Sequence, residues 1–308
     1  MKKKGKTLAW VLLYIGIGVA LQFIMSFVML GIIYKIALTE GLMSPDAVAK
    51  LMEQGMGITA GSDASSVSVN GAFTMVLTGL CDFIMFIGFG LWYYFRENKY
   101  PFRPDYRKAF TPSNTLAILG IAFFGQFAIN LILSGFQIVL PSIFRQYEEL
   151  AKNFELDTMN PVIMLFIVCL LGPLAEEVLF RGMIYAKLRR GFSMWPAAVI
   201  SGVLFGIYHM NWVQGIYATI FGIILAYIYE KTQTIWGSCL LHVAFNSCSY
   251  LLEFLTGWLE QIDSVFVAIA MIVFEFICCG IVILLMRHFR EKRTYFPKGN
   301  LQNPGSYS

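Results

Sequence analysis

The sequence predicts an all-α, polytopic membrane protein with about eight transmembrane helices. Of its 308 residues, 57% are hydrophobic and only 14% are charged, and the mean hydropathy is +0.66. Soluble domains carry about 25% charged residues, so this composition is typical of a chain whose solvent is a bilayer. Apolar segments of the length needed to cross the hydrocarbon core recur along the chain.

These apolar segments give the order of the predicted spans. We place them at 8–34, 71–95, 114–140, 161–186, 195–210, 213–229, 235–254 and 265–286. A signal peptide has a shorter apolar core and a small-residue cleavage site, so we interpret the first segment as a retained span. The fifth and sixth segments are short enough to be tilted or partly re-entrant.

The connecting segments differ in charge. With both termini in the cytoplasm, the inner segments carry Lys2, Lys3, Lys4, Lys6, five basic residues of 96–108, Lys187, Arg189, Arg190, Lys231 and five in the tail. The outer segments carry only Lys35, Lys50, Arg145 and Lys152. This asymmetry predicts cytoplasmic N- and C-termini. The basic residues cluster beside spans and not on one folded face, which argues against nucleic-acid binding.

Three further regions carry less information. We predict an external loop at 36–70 with one short helix near 45–54, and a disordered end to the tail 287–308. All six cysteines lie in apolar segments, which indicates packing residues and not a disulfide framework. We divide the chain into N-terminal helices and outer loops (1–150), a core domain (151–255), and a last helix with its tail (256–308).

Charged residues interrupt the fourth apolar segment. A charge left in hydrocarbon costs several kcal/mol, so such residues are kept where they face a protected interior or water. At helical spacing Glu177 and Arg181 share one face, one turn apart, whereas Glu176 lies about 100° away. The pattern predicts that Arg181 holds Glu177 while Glu176 faces a cavity.

Two other predicted spans carry polar groups at helical spacing. Phe205 and His209 lie one turn apart in the fifth span, and His242 and Asn246 lie one turn apart in the seventh. Counted from the inner helix ends, Glu176 and both histidines lie roughly 10–20 Å deep. We therefore expect the three spans to converge on one pocket that opens inward.

Each of these residues also has an ordinary structural explanation. A single His or Asn in a membrane is more often a hydrogen-bonding contact between helices, and a Glu–Arg pair is often a structural ion pair. Phe205 alone is a packing residue. Six polar groups at matched depth nevertheless favour a functional site. Asp82 and Glu275 have no obvious partner in the sequence, so they are structural groups or line a transport path.

Hydrolysis within a membrane needs a base that deprotonates water and donors that hold an oxyanion. A carboxylate with a histidine can supply the base, and a histidine with an asparagine amide can supply the donors. The zinc-protease motif His-Glu-x-x-His, the aspartyl motif Gly-x-Gly-Asp and the serine motif Gly-x-Ser-Gly are absent. A thiol–imidazole pair of Cys239 and His242 is a weak alternative.

Three ordered elements resemble a known family. Glu176-Glu177-Val-Leu-Phe-Arg181 matches Glu-Glu-x-x-x-Arg, Phe205-Gly-Ile-Tyr-His209 matches Phe-x-x-x-His, and His242-Val-Ala-Phe-Asn246 matches His-x-x-x-Asn. Over about 160–250 the chain resembles the CPBP intramembrane proteases, which include the type 2 CAAX prenyl proteases and the bacterial bacteriocin-processing, or Abi, proteins.

The resemblance implies an all-helical, glutamate-dependent peptidase. In it, Glu176 and His209 would activate water, and His242 and Asn246 would stabilise the oxyanion. Glu177 and Arg181 would support Glu176, with Phe205 beside them. Because no metal-binding spacing is present in the sequence, we favour a mechanism without a cofactor. If a metal were used, a Zn²⁺ ion would be held by Glu176, His209 and His242.

The sequence therefore predicts a multi-pass plasma-membrane endopeptidase, of bacterial source, that acts on a membrane-associated or lipidated peptide or protein. Its partners would be this substrate and the bilayer. Two alternatives stay open. One is a catalytically silent immunity or scaffold protein of the same fold. The other is a proton-coupled transporter that uses Asp82, Glu275 and the histidines.

Overall fold

The computed structural model describes residues 2–39, 71–97, 106–145, 147, 161–256 and 265–289, and every regular element within them is helical. The main helices are α1 (Lys2–Thr39), α2 (Gly71–Trp92), α3 (Pro112–Val139), α4 (161–188), α5 (Met194–Tyr208), α6 (Trp212–Thr232), α7 (Ile235–Thr256) and α8 (Val265–His288). The predicted helix at 45–54, most of the 36–70 loop, residues 98–105 of the basic linker and the tail beyond 289 lie outside the described residues.

Seven helices within the described residues are long and apolar enough to cross a membrane, so the protein is multi-pass. The fifth predicted span, 195–210, differs. Helix α5 has only 15 residues and, at about 1.5 Å per residue, a length of roughly 22 Å. Because a hydrocarbon core is about 30 Å thick, α5 falls short of a full crossing. The expected short fifth span is therefore shorter than a full crossing, and the expected short sixth span is a full-length helix.

Helix α4 is the central element of the bundle. Residues Val178–Tyr185 are all buried, and the helix packs against α1, α2, α5 and α7. Two stretches, Leu165–Leu171 and Val178–Tyr185, are π-helical and flank the α-helical segment Gly172–Glu177. Short π-helical stretches inside α-helices occur frequently at functional sites.

Helices α5 and α6 form a tight antiparallel hairpin. The turn between them contains Met210 at a φ of 52°, and the side chain of Asn211 caps α6 by accepting a hydrogen bond from the N–H of Gln214 at 3.0 Å. The two backbones approach closely at Gly202 and Gly222, since a Cβ added to Gly222 would lie 3.0 Å from the Gly202 Cα. The hairpin therefore holds His209 at a fixed position beside α4.

A buried ion pair joins the ends of α4 and α6 at the far end of the hairpin. Arg189 donates two hydrogen bonds to Glu230, at 3.0 and 2.9 Å, and Tyr185 donates a third at 2.8 Å. Burial opposes the charge on Arg189, but its hydrogen bonds with Glu230 and the charge of that residue outweigh this effect. The pKa of this guanidinium therefore lies above its ordinary value. Such a network fixes helix ends relative to each other.

Candidate active site

The carboxyl group of Glu176 faces both membrane histidines. Its Oε1 lies 4.0 Å from Nε2 of His209, and its Oε2 lies 3.6 Å from Nε2 of His242. Helices α4, α5 and α7 thus bring three polar groups together, as the matched depth along the spans led us to expect. Both gaps exceed direct hydrogen-bonding distance, and a bridging water fits separations of this size.

A chain of hydrogen bonds holds His242 from the other side. Its Nδ1 lies 3.0 Å from Oε1 of Glu177, and the same oxygen accepts a 2.7 Å hydrogen bond from Arg181. Glu177 and Arg181 are fully buried, and the guanidinium also donates to the Gly222 carbonyl on α6 at 3.0 Å. The predicted division is present: Arg181 pairs with Glu177, and Glu176 points elsewhere.

These contacts fix which ring nitrogen of each histidine carries the proton. The Nδ1 of His209 lies 2.8 Å from the Phe205 carbonyl, which can only accept, so Nδ1 is the donor. The Nδ1 of His242 donates to the carboxylate of Glu177 for the same reason. In the neutral form of each ring, Nε2 therefore presents a lone pair towards Glu176.

The exposed fraction of the side chain distinguishes Glu176 and His209 from the ion pair of Glu177 and Arg181. The Glu176 side chain is 23% exposed and that of His209 is 15% exposed, whereas Glu177 and Arg181 are at 0%. Glu176 and His209 are therefore accessible from outside the bundle, whereas the ion pair behind them is not. An accessible polar edge on a dry, rigid support is an arrangement that a hydrolytic site can use.

Phe205 has more contacts than its expected packing role required. Its ring makes edge-on contacts with His209 and His242, at centroid separations of 4.7 and 5.8 Å. The guanidinium carbon of Arg181 lies 4.7 Å from the same centroid, a cation–π arrangement. One buried ring therefore sets the orientation of both imidazoles relative to the ion pair.

Asn246 takes a different position from the one expected of an oxyanion donor. Its side-chain amide donates to the Val168 carbonyl on α4 at 3.0 Å. In the π-helical stretch, the N–H of Gly172 bonds to Ile167, so the next residue should serve Val168. That residue is Pro173, which has no N–H. Asn246 replaces the missing donor and uses one of its two amide hydrogens to do so.

Sequence reasoning named Asp82 without a partner and missed two tyrosines, Tyr208 and Tyr217. Asp82, Tyr208 and Tyr217 all interact electrostatically with Glu176. A Cβ added to Gly172 would lie 3.4 Å from the Asp82 carboxyl, and Gly172 lies one turn before Glu176 on α4. The intramembrane charge of Asp82 was a visible signal, but its partner was not. A tyrosine in an apolar helix gives no such signal.

The structure also bears on the thiol–imidazole pair, on Glu275 and on the zinc alternative. Both ring nitrogens of His242 face carboxylates, so neither serves Cys239, and the thiol–imidazole alternative is wrong. Glu275 is buried on α8, away from the cluster. Within the described residues, no three His, Cys, Asp or Glu side chains are arranged to hold a metal ion. The zinc alternative, through Glu176 and the two histidines, thus lacks a fitting ligand set.

Comparison with known proteins gives a family match that covers this site. Residues 158–248, which contain all three motifs, match the family described as "Type II CAAX prenyl endopeptidase Rce1-like". The Bacillus subtilis (strain 168) protein named "Putative membrane peptidase YdiL" is 31% identical over 109 residues. That alignment covers 34% of this chain, and the chain spans only 45% of the relative. No solved structure matches. Over residues 158–248, the chain is thus similar to the family of Rce1-like type II CAAX prenyl endopeptidases.

Proposed function

We propose that the protein is an intramembrane endopeptidase that hydrolyses a peptide bond with water activated by Glu176 and His209. The observation that carries this proposal is the position of the Glu176 carboxyl group between two imidazole Nε2 atoms, at 4.0 and 3.6 Å. A carboxylate and an imidazole in this arrangement can share one water molecule as general bases. The family of residues 158–248 supplies independent support.

The chemical steps follow from these positions. Glu176 accepts a proton from water while the water oxygen bonds to the carbonyl carbon, and the carbonyl electron pair moves onto its oxygen. The resulting oxyanion accepts hydrogen bonds from Nε2–H of His242 and the second amide N–H of Asn246. The C–N bond then breaks, and Glu176 returns its proton to the leaving amine.

The bond to Glu177 sets the charge of His242 in this sequence. Nδ1 already gives its proton to Glu177 at 3.0 Å, so donation from Nε2 requires both ring nitrogens to carry protons. His242 therefore enters the reaction with both ring protons in place, between the carboxyl groups of Glu176 and Glu177. Glu177 and Arg181 hold the ring in place and keep its orientation through both halves of the reaction.

The substrate class follows from the membrane setting. The site lies among membrane-crossing helices, so the scissile bond belongs to a membrane-associated or lipidated peptide or protein. Both chain termini lie in the cytoplasm, because the basic residues then fall mainly on the inner side. The pocket opens to that side, and the protein resides in the plasma membrane.

A paired substitution tests the proposal. Cells that make wild-type protein, Glu176→Gln or Glu275→Gln are compared by mass spectrometry of their membrane peptides. Glu275 is a matched control because it is also a buried carboxyl on a membrane helix, and that helix packs mainly against α3. New peptide termini should occur with wild type and Glu275→Gln and disappear with Glu176→Gln.

Two results would contradict this function. Unchanged cleavage with Glu176→Gln, at an equal membrane level of protein, removes the base from the mechanism. Loss of phenotype with Glu275→Gln and not with Glu176→Gln favours proton transport instead. Equal gel-filtration profiles of the purified variants establish that neither substitution acts through misfolding.

A further inference from the structure

A groove lies at the end of the bundle where α5 begins and α6 and α8 end. It encloses a volume of about 420 Å³, within the range of small-molecule and lipid-chain sites. Its wall consists of five largely apolar side chains and two basic ones: Met194, Trp195, Tyr227, Ile283, Met286, Lys231 and Arg287. The groove wall includes none of the candidate active-site residues Glu176, Glu177, Arg181, His209, His242 and Asn246.

The basic residues lie at the level of lipid headgroups. Lys231 and Arg287 each precede the last residue of a membrane-crossing helix, Trp212–Thr232 and Val265–His288. The apolar residues Ile283 and Met286 lie up to one turn deeper along α8. A groove that is basic at the membrane surface and apolar below it matches a phospholipid, with its charged head and hydrocarbon chain.

Aromatic contacts shape the groove. Trp195 stacks on Tyr227 at a centroid separation of 5.9 Å, and the Tyr227 hydroxyl donates to the Met286 carbonyl at 3.1 Å. The Lys231 ammonium lies 5.8 Å from the Tyr227 centroid. Trp195 remains 55% exposed, as is typical of tryptophan at a membrane interface. Three helices are thus joined around one opening.

The charge balance favours an anion. The described ionisable groups at this end, Arg189, Lys231, Arg287 and Glu230, are three cations and one carboxylate. Their net charge at this end of the groove is therefore positive. The same membrane side carries most of the chain's basic residues, and the cytoplasmic leaflet is the one that holds anionic lipids.

We propose that this groove binds an anionic phospholipid of the cytoplasmic leaflet. The headgroup phosphate contacts Lys231 and Arg287, and one acyl chain lies along Ile283 and Met286. Helix α5 is too short to be fixed by spanning the bilayer, so the lipid holds its first turn, at Trp195, against α6 and α8. The hairpin that carries His209 is thereby anchored from its far end.

Lipid retention by the full-length protein tests this site. Wild type, Lys231→Gln/Arg287→Gln and Ile283→Trp are purified in detergent, supplied with palmitoyl-oleoyl phosphatidylglycerol or the matching phosphatidylcholine, and examined by native mass spectrometry. The matched control is Lys4→Gln/Lys6→Gln, which removes the same charge. It does so at the same end of the bundle, where Thr7 packs beside Gly191.

The groove should retain phosphatidylglycerol in preference to phosphatidylcholine. The loss of two cations should weaken that retention about 30-fold, which corresponds to about 1 kcal/mol for each cation near an anionic surface. Ile283→Trp should also weaken lipid retention, because the larger side chain fills the space proposed for the acyl chain without changing the charge. The control pair should retain the lipid as wild type does, because its charges lie outside the groove.

Three results would contradict the proposed lipid site. The first is equal retention of phosphatidylglycerol and phosphatidylcholine, and the second is wild-type retention by either groove variant. The third is a loss of retention in the control pair equal to that in the groove variants. Competition by glycerol 3-phosphate at the concentration of the lipid would assign the groove to a soluble phosphate ester instead. Unchanged gel-filtration profiles exclude loss of fold as the cause of weaker retention.

Discussion

Asn246 on α7 donates a hydrogen bond to the backbone carbonyl of Val168 on α4, where Pro173 provides no N–H to serve that carbonyl. This 3.0 Å contact joins the helix that carries His242 to the helix that carries Glu176. The residue is therefore a structural tie between the two helices as well as a candidate oxyanion donor. Its two possible roles make separable predictions.

The structural role predicts that substitutions of Asn246 and Pro173 have non-additive effects on the free energy of unfolding. Asn246→Ala should lower the free energy of unfolding by about 1–2 kcal/mol, because it leaves the Val168 carbonyl without its donor. In the background Pro173→Ala, a backbone N–H becomes available to Val168, and Asn246→Ala should cost less. Thermal unfolding of the four proteins in detergent measures this cycle.

Strictly additive losses across the cycle would show that the two residues do not share the Val168 carbonyl. The oxyanion role has a separate readout. If Asn246 also touches the reacting carbonyl, Asn246→Ala should lower kcat by roughly 10²–10³-fold, and Pro173→Ala should not restore it.

The ion pair of Glu177 and Arg181 predicts that the loss of one charge destabilises the protein more than the loss of both. Arg181→Ala leaves the Glu177 carboxylate buried beside His242 without its partner, which should cost about 3–5 kcal/mol of stability as well as activity. The double substitution Glu177→Gln/Arg181→Met removes both charges and should be more stable than Arg181→Ala. Denaturation of purified protein in detergent compares the two.

A double variant less stable than Arg181→Ala would mean that the packing of the guanidinium, and not the unpaired charge, dominates. Both variants should lose cleavage activity in either case. The hydrogen bond that fixes His242 through Glu177 is weakened in both.

Gly222 is a site where one methyl group should disturb the active centre. Its carbonyl accepts from Arg181, and a Cβ there would lie 3.0 Å from both the Gly202 Cα and the Phe205 ring. Gly222→Ala should therefore separate α5 from α6 and lower both melting temperature and activity. Gly280→Ala is the matched control, since nothing lies within 4 Å of its added Cβ.

The control protein should unfold at or slightly above the wild-type temperature, because alanine favours a helix over glycine. An equal effect of the two substitutions would contradict the close approach at Gly222. A fall in activity with no change in melting temperature would locate the disturbance at Phe205 alone.

The sequence predicted the membrane helices and the polar cluster for identifiable reasons. Apolar length marks a span, and Glu176, His209 and His242 are conspicuous because charge and hydrogen-bonding groups are costly in hydrocarbon. The π-helical stretches around Gly172–Glu177 were not predictable, since they carry no compositional signal. Helix α5 was placed correctly, but it is too short to cross the bilayer.

Contacts between helices also escaped prediction. The hydrogen bond from Asn246 to Val168 depends on which carbonyl Pro173 leaves without a donor, and that depends on the local helix type. The approach of Asp82 to Gly172, one turn before Glu176, depends on how α2 packs against α4. Spacing along one chain segment fixes faces within a helix, but not which faces of two helices meet.

His209 offers a substitution that separates chemistry from packing. The edge-on contact of its ring with Phe205, at 4.7 Å, should survive in His209→Phe, because phenylalanine retains an aromatic ring of similar size. Its Nε2 lone pair towards Glu176 would be lost. We expect kcat to fall roughly 10²–10⁴-fold, the usual contribution of one general base.

The melting temperature of His209→Phe should change by only a few degrees, since the one hydrogen bond lost is that to the Phe205 carbonyl, worth about 1 kcal/mol. His209→Ala is the comparison: it removes the ring contact as well and should be less stable than His209→Phe while losing the same activity. Cleavage by His209→Phe at the wild-type rate would exclude His209 from water activation and leave Glu176 as the sole base. Equal stability of the two variants would mean that the ring contact with Phe205 does not support the hairpin.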